Sequence, residues 1–218
     1  EWLVKYIESV STLPPSIDSS NPEIIEVGLQ TYQGTQGRPM LNSIALERPE
    51  AIDLALEHNA RAVVMASNEV GMPDGADERL ENVGRIVEMA LSKGMEKADL
   101  FVDPLIFPIA VDSNYGNHVF DAMKGIRKEF GDEIHIAGGM SNVSFGIPKR
   151  RLINDVFLYL AIEAGADAGI VDPMTTSAER SLNIDLESGP VKLALDLLQG
   201  RDDFAMNYIT AFRAGELG

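Results

Sequence analysis

Cysteine is absent from the 218 residues. Its absence excludes a disulfide framework, a thiolate metal centre and a cysteine nucleophile within this chain. Basic side chains are scarce: 18 Lys and Arg stand against 34 Asp and Glu, a formal net charge of -16. That balance disfavours a phosphate-backbone partner, and no basic stripe overrides it, so no nucleic-acid role is expected. No apolar run approaches a membrane span, and Glu1-Trp2-Leu3-Val4 lacks the basic leader and cleavage site of a signal peptide. A cytoplasmic protein with no membrane partner is expected. The three histidines, His58, His118 and His135, stand apart without ligand spacing, so no metal site is expected. Neither G-x-G-x-x-G nor a Walker sequence occurs, which removes the usual marks of a nucleotide-binding open sheet.

What is present is an alternation of short apolar runs and helical stripes. With 45% hydrophobic residues, the chain can fill the core of one large α/β domain over residues 1–218. Ile134 to Pro173 is the clearest repeat. Ile134, Ile136 and Ala137 run into Gly138-Gly139 as a buried strand entering a turn. Leu152, Ile153, Val156, Phe157, Leu160, Ala161 and Ala164 then recur at helical spacing, and Ala168-Gly-Ile-Val171 reads as a second buried strand. Strand, helix and strand, both strands nearly all apolar, predict a parallel βαβ unit covered on both faces.

The same alternation extends upstream. Trp2 to Val10 reads as the end of an amphipathic helix and Pro15 to Asp18 as a strand. Asn21-Pro22-Glu23 opens a helix, with Asn as cap and Pro at the first helical position. Further strands are expected at Pro39 to Ala45, Arg61 to Ala66 and Leu100 to Asp103, with helices near 49–58, 77–93 and 116–130. Closing helices are expected at 190–198 and 202–212. Six βα repeats with polar residues at strand ends point to a (β/α)8 barrel, with a doubly wound open sheet as the competing architecture. A closed barrel needs eight strands. The first two βα units are therefore expected to be absent from this chain, supplied by a longer polypeptide or by another chain.

At the strand ends stand Asp18, Asn42, Asn68, Asp103, Ser141 and Asn142. In a barrel they converge on one rim. Carboxylates and amides without a basic residue suit a neutral heterocycle rich in N–H donors and ring acceptors, whereas phosphate would need Arg, Lys or a glycine nest. Each has a structural alternative. Asp18 could cap the helix that follows, and Asp103 and Asp172, each before a proline, could form turns. Asn42, inside the frame Met40-Leu41 to Ile44-Ala45, is harder to explain structurally, since burying an unmatched amide costs roughly 1 to 3 kcal/mol.

The segments Asp18-Ser-Ser-Asn-Pro-Glu23, Ile25-Glu-Val-Gly-Leu29, Leu41-Asn-Ser-Ile44, Val102-Asp-Pro-Leu105 and Gly139-Met-Ser-Asn-Val-Ser144, in this order and spacing, resemble the pterin-binding methyltransferases. That family includes the methyltetrahydrofolate:corrinoid/iron-sulfur protein methyltransferases and the folate module of cobalamin-dependent methionine synthase. The resemblance covers essentially the whole chain. It implies a (β/α)8 barrel acting in one-carbon metabolism, commonly as a homodimer. It also implies methyltetrahydrofolate or tetrahydrofolate as substrate and a corrinoid (cobalamin) carried by a partner protein. By the same resemblance Asp18, Asn42 and Asp103 hydrogen-bond the pterin. Asn142 lies near its nitrogen-5 and is the catalytic residue, with Gly139 and Ser141 shaping that wall. Asn68, Ser144 and Asp172 are further candidates. Phe145 stands where some relatives place a polar residue. Dihydropteroate synthases follow the corresponding Gly-x-Ser with Arg-Lys; here Asn142-Val143 replace that basic pair, which favours methyl transfer. A dihydropteroate synthase-like enzyme and a non-catalytic pterin-binding module are the alternatives.

Overall fold

The computed structural model describes residues 1–217. Five strands, β1 (Ser16–Asp18), β2 (Met40–Ile44), β3 (Arg61–Met65), β4 (Leu100–Asp103) and β5 (His135–Ile136), form one parallel sheet in the order β1-β2-β3-β4-β5. The helices between them are α2 (Pro22–Thr31), α3 (Ala51–Glu57), α4 (Ala76–Lys93) and α5 (Tyr115–Phe130), and α1 (Trp2–Val10) precedes β1. After β5 come a 3-10 turn at Met140–Ser144, then α6 (Arg150–Glu163), α7 (Ala178–Leu182), α8 (Gly189–Leu198) and α9 (Met206–Arg213). The cap expected at α2 forms: the Asn21 side chain accepts the Glu23 N–H at 2.9 Å.

Because strand order follows chain order without reversal, there is no topological switch point, and the doubly wound alternative is ruled out. Right-handed crossovers that always advance in one direction place their helices on one face of the sheet. Burial records this. Ile17, Leu41, Ala62, Val64, Leu100, Val102 and Ile136 face the helices and are buried, while Asp18, Met40, Asn42, Met65, Phe101, Asp103 and His135 on the other face are exposed or half-buried. The expectation of strands covered on both faces is therefore corrected: one face is packed throughout, and the other is open except at Val63, which is 2% exposed. The packing is close where it occurs, since a Cβ on Gly28 of α2 would lie 2.6 Å from Ile17 Cγ2.

Two further expectations change. Ala168 to Val171 is not a buried strand. It makes one parallel bridge, Gly139 to Ile170, with the Ile170 N–H donating to Gly138 O at 2.8 Å. Ile170 and Val171 are 48% and 37% exposed. The Gly138-Gly139 turn interrupts the ladder on one side, and no described strand pairs on the other. The sheet among the described residues is accordingly an open arc of five strands, one fewer than the six expected. Helix α1 forms, but Trp2, Leu3, Tyr6 and Val10 remain exposed.

Candidate functional site

Register decides which polar side chains share a face. Asp18 pairs with Asn42, Asn42 with Val63, and Val63 with Phe101. Asp103 lies two residues beyond Phe101, so alternation returns it to the same side. Asp18, Asn42 and Asp103 thus project from the helix-free face, toward the C-terminal edge of the sheet. The register shifts immediately after Asn42, where a cis peptide joins it to Ser43.

Asp103 ends β4 and is the most perturbed acid of the group. Burial pushes its carboxyl up to about 6, against the Leu105 and Gly139 N–H groups and the charge of Arg79, which favour the ionised form. The Leu105 N–H donates to Oδ1 at 2.8 Å, so the turn-forming alternative is also realised. Gly138 follows on β5 at φ +146°, where a Cβ would lie 2.8 Å from Asp103 Oδ1. Only glycine lets the two loops approach this closely.

The loop after β5 carries the remaining residues. Its 3-10 turn over Met140–Ser144 buries Met140, Val143 and Ser144 and leaves Asn142 exposed. A Cβ on Gly139 would meet Asn142 Nδ2 at 2.7 Å. Gly138 therefore abuts Asp103 and Gly139 abuts Asn142, which ties the acid of β4 to the amide of the turn.

Hydrogen bonding divides the sequence-derived candidates. Asn68 is fully engaged: Nδ2 donates to Glu78 Oε1 (3.1 Å) and Asn82 Oδ1 (3.2 Å), and Oδ1 accepts the Val70 and Gly71 N–H groups. It anchors its own loop. Ser144 Oγ donates to Ser141 O at 3.1 Å and accepts from Arg150 Nε at 3.0 Å. Asp172 accepts from the Met174 N–H (2.9 Å) and the Thr175 hydroxyl (3.1 Å), as a turn former does. The side chains of Asp18, Asn42 and Asn142 make no hydrogen bond to any described residue. For Asp18 the capping alternative fails, because Asn21 caps α2. Asn42, half-buried between Leu41 and Ile44 at 0% exposure each, is an amide with unmet capacity.

Two supporting residues escaped the sequence. Arg79 is fully buried and donates to the carbonyls of Gly75 (2.9 Å), Pro104 (2.8 Å) and Leu105 (3.3 Å), with its guanidinium 4.9 Å from the Phe107 ring centroid. It braces the turn that Asp103 begins. Buried Asn82 donates to Ala66 O at 2.9 Å. The available signal was spacing, since Arg79 precedes Val83, Ile86 and Ala90 on the buried stripe of α4.

Residues 1–172 match the family model for pterin binding enzymes. A methylcorrinoid:tetrahydrofolate methyltransferase of Eubacterium limosum is 26% identical over 223 residues, covering 100% of this chain and 77% of the relative. The crystal structure of the Yersinia pestis dihydropteroate synthase superposes with a TM-score of 0.57 at 15% identity, over 97% of this chain and 77% of that one, a likeness of fold. With its match running from the first residue through the loop after β5 and on to Asp172, the chain belongs to the pterin-binding enzyme family.

Proposed function

We propose that this protein moves a methyl group between methyltetrahydrofolate and the cobalt of a corrinoid held by a partner protein. The observation that carries the reading is a polar set at the C-terminal edge of the sheet: Asp18 and Asn42 side by side and Asn142 beside Gly139, none with a side-chain hydrogen bond to a described residue, and Asp103 further along, held in place by the Leu105 N–H. Their chemistry fits a pterin. Carboxylates accept from adjacent ring N–H groups, and an amide both donates and accepts. In this reading Asp18, Asn42 and Asp103 hold the ring, and Gly139 and Ser141 form the wall beside it.

A methyl group on a tertiary amine is a poor electrophile until its nitrogen gains positive charge. Asn142, exposed and without an internal partner, answers that need by turning its amide oxygen to a protonated nitrogen-5 and its amide nitrogen to the neutral one. The corrinoid supplies the cobalt that exchanges the methyl group. An open face is compatible with this chemistry, because substrate and metal arrive on different proteins. The Eubacterium limosum relative, a methylcorrinoid:tetrahydrofolate methyltransferase by name, supports the class and has the methyl on the corrinoid first.

The test is spectroscopic. Protein, methyltetrahydrofolate and reduced cobalamin are mixed and the methylcobalamin absorbance is followed. Its appearance supports methyl transfer, and binding without methylation leaves only a pterin-binding module. Incorporation of p-aminobenzoate into a pterin would instead decide for the synthase-like reading. Asn142→Ala is expected to lower the transfer rate about a hundredfold, the effect of losing one transition-state hydrogen bond, while pterin affinity falls far less. Equal losses in both would assign Asn142 to binding alone.

A further inference from the structure

The strand-end residues read from the sequence include no base, and the structure brings one up beside them. Asn42 ends the regular part of β2. Its partners are Asp18 on β1 and Val63 on β3, but the next pair is Ile44 with Val64, so Ser43 has no register partner on either strand. A residue left out of the ladder re-aims the side chains next to it, and Ser43, 2% exposed, needs partners other than the ladder for its polar groups. Arg48 supplies them. Its Nε donates to Ser43 O at 3.0 Å and its Nη2 to Ser43 Oγ at 2.6 Å, and the Ser43 hydroxyl donates in turn to Met65 Sδ at 2.8 Å.

Arg48 is itself held from several sides. Its backbone N–H donates to Ala45 O at 3.0 Å, closing the turn that follows β2. Its Nη1 lies 3.8 Å from Glu47 Oε1, and the Glu47 carboxylate accepts the hydroxyl of buried Ser67, just past β3. Its Nη2 lies 3.4 Å from Met65 Sδ, and Met65 stands opposite Asp103 in register. The guanidinium therefore links β2, which carries Asn42, to β3, whose last residue neighbours Asp103. The Asn42 side chain has no hydrogen bond to any described residue, so its backbone sets its direction. On the C-terminal side that backbone continues into Ser43, which Arg48 grips at both carbonyl and hydroxyl.

We propose that Arg48 is a positioning residue of the pterin site: it aims the Asn42 amide by holding Ser43 against Met65, with its own donors turned to Ser43, Met65 and Glu47 and none to the ligand. This rests on the pterin reading above and adds to it the residue that orients one of its contacts.

A double-mutant cycle on tetrahydropterin binding, followed by calorimetry, tests it. Arg48→Ala should weaken binding about tenfold, the effect of one hydrogen bond badly aimed, and Asn42→Ala about as much. In the Asn42→Ala background the Arg48 substitution should cost less than about twofold, because the group it aims is gone. Arg48→Lys keeps the charge but cannot hold carbonyl and hydroxyl together, so it should recover only part of the loss, and it carries the same cycle if Arg48→Ala does not fold. The stoichiometry of each titration reports the folded fraction separately from the affinity. Fewer sites at unaltered affinity, or the same loss of affinity in both backgrounds, would overturn the positioning role while leaving the pterin reading in place. No binding of tetrahydropterin to the wild-type protein would overturn both.

Discussion

At the scale of single residues, Asp103 is where environment overrides type. Burial raises its carboxyl to about 6, so the folded protein binds that proton more tightly than the unfolded chain. Ionising it then costs stability. The cost is nil below the ordinary carboxylate range near pH 4, grows as the pH rises, and is complete above about 6. Asp103→Asn keeps the shape and an acceptor for the Leu105 N–H but removes the charge. Urea unfolding should therefore show the variant gaining on the wild type by about 2 kcal/mol between pH 4.5 and 7.5. Parallel pH profiles would refute the buried-acid account. Ligand binding should run the other way: if the carboxylate accepts pterin N–H groups, affinity rises from pH 5 to 7 in the wild type and stays level in the variant. The residues around it divide by whether their hydrogen bonds are spent. Asn68 and Asn42 look alike in the sequence, and only the structure shows that the first is saturated and the second is not.

At the scale of elements, close approach decides more than propensity does. Helices α5 and α8 meet at Gly116, where a Cβ would lie 1.9 Å from Leu198 O. The clash is with backbone, so no rotamer change relieves it. Gly116→Ala should destabilise the protein by about 1 to 3 kcal/mol despite the better helix propensity of alanine, measured as a lowered melting temperature. An unchanged or raised value would mean that the α5 and α8 crossing is looser than it stands here. The helices were readable because each presents a 3.6-residue stripe, and α4 runs over Ala76–Lys93 where the pattern placed 77–93. The stretch at Ala168 to Val171 was misread for a complementary reason. Apolar content marks a segment as able to be a strand, but a strand exists only where neighbours pair with it, and here one bridge is all that forms.

At the scale of the molecule, the sheet has one packed face, one open face and two edges lacking a described neighbour. That asymmetry predicts the pattern of local opening. Amide hydrogen exchange should be slowest in β2, β3 and β4, which are paired on both sides, and fast in α1 and in residues 168–177, which hold few buried contacts. Uniform protection across the chain would mean that these edges are covered in solution. The open face is also the polar one. The same winding that puts α2 to α5 on one side leaves Asp18 and Asn42 without hydrogen-bond partners among the described residues on the other, with Asp103 beyond them.

The sequence by itself determined the order of elements from α1 to α6, the parallel α/β class, the α2 cap and the identity of the residues at the strand ends, because periodicity, capping and turn chemistry are local. It also carried the family resemblance, through the segments from Asp18 to Ser144. Tertiary structure alone decided which candidates were committed elsewhere, that Asp103 holds its proton to about pH 6, that Arg79 braces its turn and that Arg48 ties Ser43 to Met65. Those properties depend on what lies across space from a side chain, and distances between residues remote in the chain are fixed only when the sheet assembles.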